Sequence, residues 1–143
     1  MNSILAIMGL VDNDTNQPKS DKPVVLLVED DLLLVKMYQS KFSMEGFDFI
    51  TAQDGEAGLA AILEKKPNFV ILDVMMPKLS GLDVLAKMRA NPTTSKIPVL
   101  MLTNLTQEAE AKRAVELGAK EYLIKAELTP KEVVEKVKEY LSS

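Results

Sequence analysis

The chain has 143 residues, 47% of them apolar and 27% charged, which suits one globular domain plus a short tail and excludes a disordered or collagen-like polymer. It contains no Cys and no His, which removes thiol nucleophiles, disulfides, histidine bases, Ser-His-Asp triads and nearly every zinc site. A formal charge of -4 argues against a nucleic-acid binder, whose affinity comes from clustered Lys and Arg, so any chemistry must run on carboxylates, hydroxyls, Lys, Arg or the backbone.

Residues 4–11 form the first apolar run, far short of the roughly 20 needed to span a bilayer. No positive charge precedes it, as a secretory signal would require, because the first Lys is Lys19. The expectation is a cytoplasmic protein with no membrane contact. Residues 12–22 are polar and turn-rich and read as a linker, so residues 1–22 are expected to be a stub and linker and residues 23–143 the domain.

From there short aliphatic runs alternate with helical patterns. The first strand is expected over 24–28, followed at once by the acidic run Glu29-Asp30-Asp31 and a helix over 31–45. Gly46 stands where that helix needs a left-handed terminator. A second strand over 47–51 and a helix over 55–65 follow, then a third strand over 69–72 that runs into Asp73, and a helix over 81–90. The fourth strand, 99–102, ends at Thr103, and the helix after it, 107–117, offers mainly Ala109, Ala114, Val115 and Leu117 to the core. Such small side chains predict a weakly held helix. Gly118 terminates it, the fifth strand runs over 121–124 into Lys125, and the last helix covers 130–141. Its start, Thr129-Pro130-Lys131-Glu132, reads as a capping box with Pro at the first helical position, and Val133, Val134, Val137, Tyr140 and Leu141 share one face. Most strands are continuously apolar, the pattern of strands covered on both sides, so the expected fold is α/β, a doubly wound five-stranded parallel sheet with five helices.

In such sheets ligands gather beyond the carboxyl ends of the strands, where Glu29, Asp30, Asp73, Thr103 and Lys125 should converge. Taken singly, several have a plain structural reading: the run Glu29-Asp30-Asp31 as a helix N-terminus capped by Asp31, Thr103 in a hydroxyl-bonded turn or cap, Lys125 on the surface, whereas Asp73 after an apolar strand is harder to dismiss. Together they read differently. Three carboxylates at one rim repel unless neutralised, and an all-oxygen set with few protein ligands suits Mg2+. An ammonium and a hydroxyl opposite them suit a phosphoryl group, and an Asp carboxylate is a competent phosphoryl acceptor.

At these residues the sequence closely resembles the receiver domains of two-component response regulators, over about residues 23–141. Val24-Val25-Leu26-Leu27-Val28-Glu29-Asp30-Asp31 resembles the family's first strand and acidic pair, and Leu72-Asp73-Val74-Met75-Met76-Pro77 followed by Gly81 resembles its phosphoacceptor strand and loop. Val99-Leu100-Met101-Leu102-Thr103 and Gly118-Ala119-Lys120-Glu121-Tyr122-Leu123-Ile124-Lys125 resemble the switch-hydroxyl strand and the aromatic-plus-lysine strand. The resemblance implies the flavodoxin-like strand order 2-1-3-4-5. It implies that Asp73 accepts a phosphoryl group from a histidine kinase or phosphotransfer protein. Glu29, Asp30, Asp73 and the Met75 carbonyl would serve Mg2+, Glu29 mostly through water, while Thr103 and Lys125 would contact phosphoryl oxygens and Tyr122 would be the aromatic switch.

With no His the chain cannot carry a phosphohistidine of its own, so the donor is another molecule. The chain stops two residues past the final helix, so the expectation is a stand-alone receiver that signals by binding a protein target or a second copy through its last two helices and the strand between them. Two departures from the family pattern stand out. Ala126 follows Lys125 where Pro is usual, so the loop is expected to run trans, because a cis bond before a non-proline costs roughly 2.5–4 kcal/mol. Asn104 follows Thr103 where a small residue is common, and is expected either to crowd the phosphoryl site or to donate to it. Met75 and Leu105 flank that site without a polar group to orient water, which predicts slow self-dephosphorylation, and the resemblance implies a phosphoacceptor that catalyses its own phosphoryl transfer rather than a dedicated enzyme. A flavodoxin-like nucleotide carrier would need a phosphate loop after strand one, where acids stand. A haloacid-dehalogenase-like phosphatase would need a second Asp where Met75 stands. The remaining alternative is a receiver-like interaction module that does not switch.

Overall fold

The computed structural model describes residues 21–142; the expectations for the apolar run and for nearly all of the linker lie outside the described residues. The chain runs β1 (Val24–Val28), α1 (Leu32–Met44), β2 (Asp48–Ala52), α2 (Gly55–Lys65), β3 (Phe69–Leu72), α3 (Gly81–Ala90), β4 (Val99–Thr103), α4 (Glu108–Glu116), β5 (Glu121–Ile124), a 3-10 turn (Lys125–Glu127) and α5 (Pro130–Ser142). All strand pairs are parallel, in the order β2-β1-β3-β4-β5. The expected α/β doubly wound five-stranded fold is therefore present, with its 2-1-3-4-5 order.

Alternation along each strand sorts two apolar layers. Leu26, Val28, Val70, Leu72, Val99 and Met101 face one way, against Ile62 of α2, Val84, Leu85 and Met88 of α3 and Ala114 of α4. Val25, Leu27, Phe69, Ile71, Leu100 and Leu102 face the other way, against Val35, Tyr38 and Phe42 of α1 and Val133, Val134 and Val137 of α5. Successive residues of one strand thus serve opposite sides, which is why these strands read as unbroken apolar runs.

Local chemistry sets the boundaries. Asp31 caps α1, its carboxylate accepting from the Leu33 and Leu34 amides at 3.0 and 3.4 Å. Thr129 and Glu132 form the expected reciprocal box, with the Thr129 amide donating to Glu132 Oε1 at 2.9 Å and the Glu132 amide to Thr129 Oγ1 at 3.2 Å. Gly46 and Gly118 adopt φ of 90° and 81°, the left-handed terminators expected after α1 and α4. β2 starts one residue later than expected because the Phe47 amide turns back to the Phe42 carbonyl at 3.2 Å, so the ladder opens at Val24 and Asp48.

α4 requires a correction. Ala109 is exposed and Val115 is 65% exposed, leaving Ala114 as its one fully buried side chain. At about 100° of rotation per residue, Val115 and Ala109 both point well away from the line through Ala114. Leu117, just past the helix, does pack against the core. Gln107 gives α4 no side-chain cap. Burying a methyl-sized side chain contributes about 0.8 kcal/mol, whereas each of the three valines of α5 contributes about 1.5 kcal/mol or more, so α4 is held more weakly than expected. No helix among the described residues is long and apolar enough to cross a membrane.

Candidate functional site

Strand register carries the distant acids together. Val28 lies opposite Leu72, so the next residues, Glu29 and Asp73, emerge side by side, and the Asp73 amide donates to the Val28 carbonyl at 3.2 Å. Thr103 lies opposite Ile124, which delivers Lys125 to the same rim. β1 is flanked by β2 on one side and β3 on the other, so the acids open on the crevice where the chain reverses its direction of winding.

Lys125 spans the two buried carboxylates. Its Nζ stands 2.7 Å from Asp73 Oδ2 and 2.5 Å from Glu29 Oε1. Glu29 and Asp73 are 1% and 5% exposed, while Asp30 faces solvent. Backbone amides complete the site: Met75 donates to Asp73 Oδ1 at 3.2 Å and Asp31 to Glu29 Oε2 at 2.9 Å. Burial pulls the Lys125 pKa down, but its hydrogen bonds to Asp73 and Glu29 outweigh burial and raise it above the ordinary lysine value, so it stays charged. At Glu29 burial is the largest influence and raises the pKa, against the opposing pull of Lys125 and the Asp31 amide.

One carboxylate oxygen from each of Glu29, Asp30 and Asp73 lies within 4.8 Å of the others. Three carboxylates less one ammonium leave a formal charge of about two negatives, which a divalent cation balances. Two buried oxygen ligands beside an exposed one fit Mg2+, which keeps part of its water shell. The residues present therefore fit the ion.

The last residue of β4 and the two that follow it tie this rim together. The fully buried Thr103 hydroxyl accepts from the Leu105 amide at 3.2 Å, which is the hydroxyl-bonded turn expected of it as a single residue. Asn104 Oδ1 accepts from the Ala126 amide at 3.1 Å. The Leu105 carbonyl accepts from the Tyr122 hydroxyl at 2.8 Å. Burial, helped by the negative charges of Glu110 and Asp73, raises the Tyr122 pKa, which keeps the phenol protonated as a donor. Among the described residues no peptide bond is cis, so the loop through Ala126 runs trans as expected. Asn104 Oδ1 reaches the Ala126 amide because the residue after β4 sits one step from the turn after β5.

Gly81 is explained by contact. A Cβ at that position would stand 1.9 Å from the Asp73 carbonyl oxygen, so α3 packs directly on the backbone of the site. Met75 is 62% exposed, and with Val74, Met76, Pro77, Leu82 and Leu105 it borders a groove of about 580 Å³ that opens from the loop after Asp73. Sequence reasoning missed Arg89. Its guanidinium donates to the carbonyls of Leu117, Ser95, Ile97 and Gly118 at 2.8–3.3 Å, tying α3 to the turn after α4. Nothing local marks an arginine in the last turn of a helix for that task.

The family described as the response regulator receiver domain matches residues 25–138. The alkaline phosphatase synthesis transcriptional regulatory protein PhoP of Bacillus subtilis (strain 168) is 38% identical over 117 residues, which are 82% of this chain and 48% of that protein. The chain spans about half the length of the curated relatives it matches. Among solved structures, the Francisella response regulator 1452 receiver domain aligns with a TM-score of 0.77 and 26% identity, covering 85% of this chain and 98% of that one. The Mn(2+)-bound form of response regulator Rcp1 aligns with a TM-score of 0.71 and 29% identity, covering 84% and 92%. With the parallel fold, the converging strand ends and these matches in agreement, the chain belongs to the response regulator receiver domain family.

Proposed function

We propose that this protein is a phosphorylation-dependent signalling receiver whose acceptor is Asp73. The carrying observation is the buried Asp73 carboxylate paired with Lys125 at 2.7 Å, beside Glu29 and Asp30. A carboxylate oxygen of Asp73 forms a P–O bond as the P–N bond of a donor phosphohistidine breaks, giving an aspartyl phosphate while the freed imidazole takes up a proton. The donor is a histidine kinase or phosphotransfer protein. Glu29, Asp30, Asp73 and the Met75 carbonyl would hold Mg2+, and Mn(2+) in the related Rcp1 supports a divalent ion. When bound, the ion neutralises charge on the phosphoryl oxygens. Lys125 exchanges a carboxylate for a phosphoryl oxygen, and Thr103, whose hydroxyl proton is left over by its bond from Leu105, donates to another.

Drawing Thr103 toward the phosphoryl group strains the bonds of Leu105, and through them Tyr122. α4, the weakly held element beside that loop, then shifts. The readout is binding of a protein target, or of a second copy, through α4, β5 and α5. The chain's net charge of -4 favours a protein over a nucleic acid as its direct partner. The residues 23–143 act as the receiver unit, in a cytoplasmic setting where the donor meets it.

The test is incubation with acetyl phosphate and Mg2+, read by intact mass and phosphate-affinity gel mobility. One phosphoryl group is expected on the wild type and none on Asp73→Asn or in EDTA. A folded wild type that gains no adduct would leave the constitutive interaction module as the better reading. The apolar flank of Met75 and Leu105 gives a second expectation, a phosphoprotein half-life of minutes or longer after removal of the donor. A half-life of seconds would show that water is oriented by a group other than these.

A further inference from the structure

We infer that Asn104 is a positioning residue for Lys125, acting through the Ala126 amide; this rests on the phosphoacceptor reading of Asp73. The β4–β5 ladder ends with Thr103 opposite Ile124. Beyond that step Asn104 Oδ1 accepts from the Ala126 amide at 3.1 Å, so a side-chain carbonyl continues the pairing that backbone carbonyls make within the sheet. On the other side, the Leu128 amide donates to the Lys125 carbonyl at 3.3 Å and closes the 3-10 turn. Lys125 is therefore pinned at its backbone by the ladder before it, the Asn104 tether just after it, and the turn.

That pinning matters because of the side chain it serves. Lysine carries its ammonium on a flexible four-carbon stem. Here the ammonium must hold two buried carboxylates at 2.7 and 2.5 Å. A loosened root lets the stem wander, and Lys125 then contacts Asp73 for a smaller share of the time. Asn104 itself is exposed, so its influence on the acids runs through Lys125. Lys125 also competes with a bound cation for the same carboxylates, so loosening it has opposite effects on two measurable quantities: phosphoryl transfer slows, while cation affinity rises.

The experiment compares wild type, Asn104→Ala, Lys125→Ala and the double variant. Three readouts are taken: Ala126 amide hydrogen exchange by NMR, Mg2+ affinity by calorimetry, and the rate of phosphorylation by acetyl phosphate. In Asn104→Ala the Ala126 amide should exchange faster, Mg2+ should bind about threefold tighter, and phosphorylation should slow about tenfold. In the Lys125→Ala background, adding Asn104→Ala should change neither affinity nor rate. Unchanged Mg2+ affinity in Asn104→Ala, or an equal further loss of rate on top of Lys125→Ala, would overturn the inference. A wild type that takes no phosphoryl group would defeat the acceptor reading, and the Mg2+ affinities would still decide the tether.

Discussion

Lys125→Ala is expected to lower stability in EDTA by about 3 kcal/mol and to slow phosphorylation by about a hundredfold. Lys125 is 15% exposed at its side chain, against 2% for Glu29 and 6% for Asp73, so solvent screens this group little. Removing one partner of a buried ion pair costs about 3–5 kcal/mol because the remaining charge stays buried and uncompensated. Here two carboxylates are left, with the Asp31 amide donating to Glu29 and the Met75 amide to Asp73. Mg2+ should restore much of the loss, since a cation can replace the ammonium between the same oxygens, and urea unfolding with and without the ion would measure it. The rate effect comes from withdrawing one positive donor from the transferring phosphoryl oxygens, an interaction worth about two to three powers of ten.

The pH dependence of that variant follows from the direction of two shifts. Lys125 has its pKa raised by its partners, so its stabilisation is complete below the ordinary lysine value and is lost only as pH rises through the raised one, on the alkaline side. Glu29 is raised by burial even with Lys125 present. Without Lys125 burial acts with less opposition, and a raised carboxyl favours the folded state on the acidic side. The stability gap between wild type and Lys125→Ala should therefore narrow as pH falls into the carboxyl range. A gap that stays constant or widens in acid would show that the lost stability came from packing of the lysine stem rather than from charge.

Gly81→Ala is expected to cost about 3 kcal/mol and to slow phosphorylation at least about tenfold. The added Cβ would stand 1.9 Å from the Asp73 carbonyl oxygen, 2.8 Å from its carbonyl carbon and 3.1 Å from Val74 Cα. All three are backbone atoms, so no side chain can swing aside, and overpacking of this kind costs about 1–3 kcal/mol or more. The Gly81 amide also donates to the Val74 carbonyl at 2.9 Å, so moving α3 away breaks that bond as well. The displacement falls on the residue that bears the acceptor, where a shift of about 1 Å can cost two powers of ten in rate. Gly46→Ala is the control. Nothing stands within 4 Å of its Cβ position, but its φ of 90° penalises alanine by about 1–2 kcal/mol, with no effect on the rate. Equal rates for wild type and Gly81→Ala would mean that α3 yields and the Asp73 backbone does not.

Much of this protein is legible in its sequence because the signals are short-ranged. The aliphatic runs of β1, β3 and β4, the cap at Asp31, the box at Thr129 and Glu132, and the terminators Gly46 and Gly118 all act within a few residues. Strands and helices could therefore be set in order, and the parallel topology then places the strand ends at one rim. That is why Glu29, Asp30, Asp73, Thr103 and Lys125 could be named together. The α4 face was misjudged because a nine-residue helix with few apolar side chains carries too little periodicity to show its buried side.

What the tertiary structure alone decided is which of these groups touch. Lys125 and Asp73 are 52 residues apart in sequence, and only the register of β1, β3, β4 and β5 sets the ammonium between Asp73 and Glu29. The Asn104 bond to Ala126, the Gly81 contact with the Asp73 carbonyl and the reach of Arg89 to four backbone carbonyls are of the same kind. Side-chain type and spacing determine what a residue can do over one or two turns of chain. Hydrogen bonds and steric contacts fall off within a few ångströms, so across the sheet only packing determines which partner comes within reach.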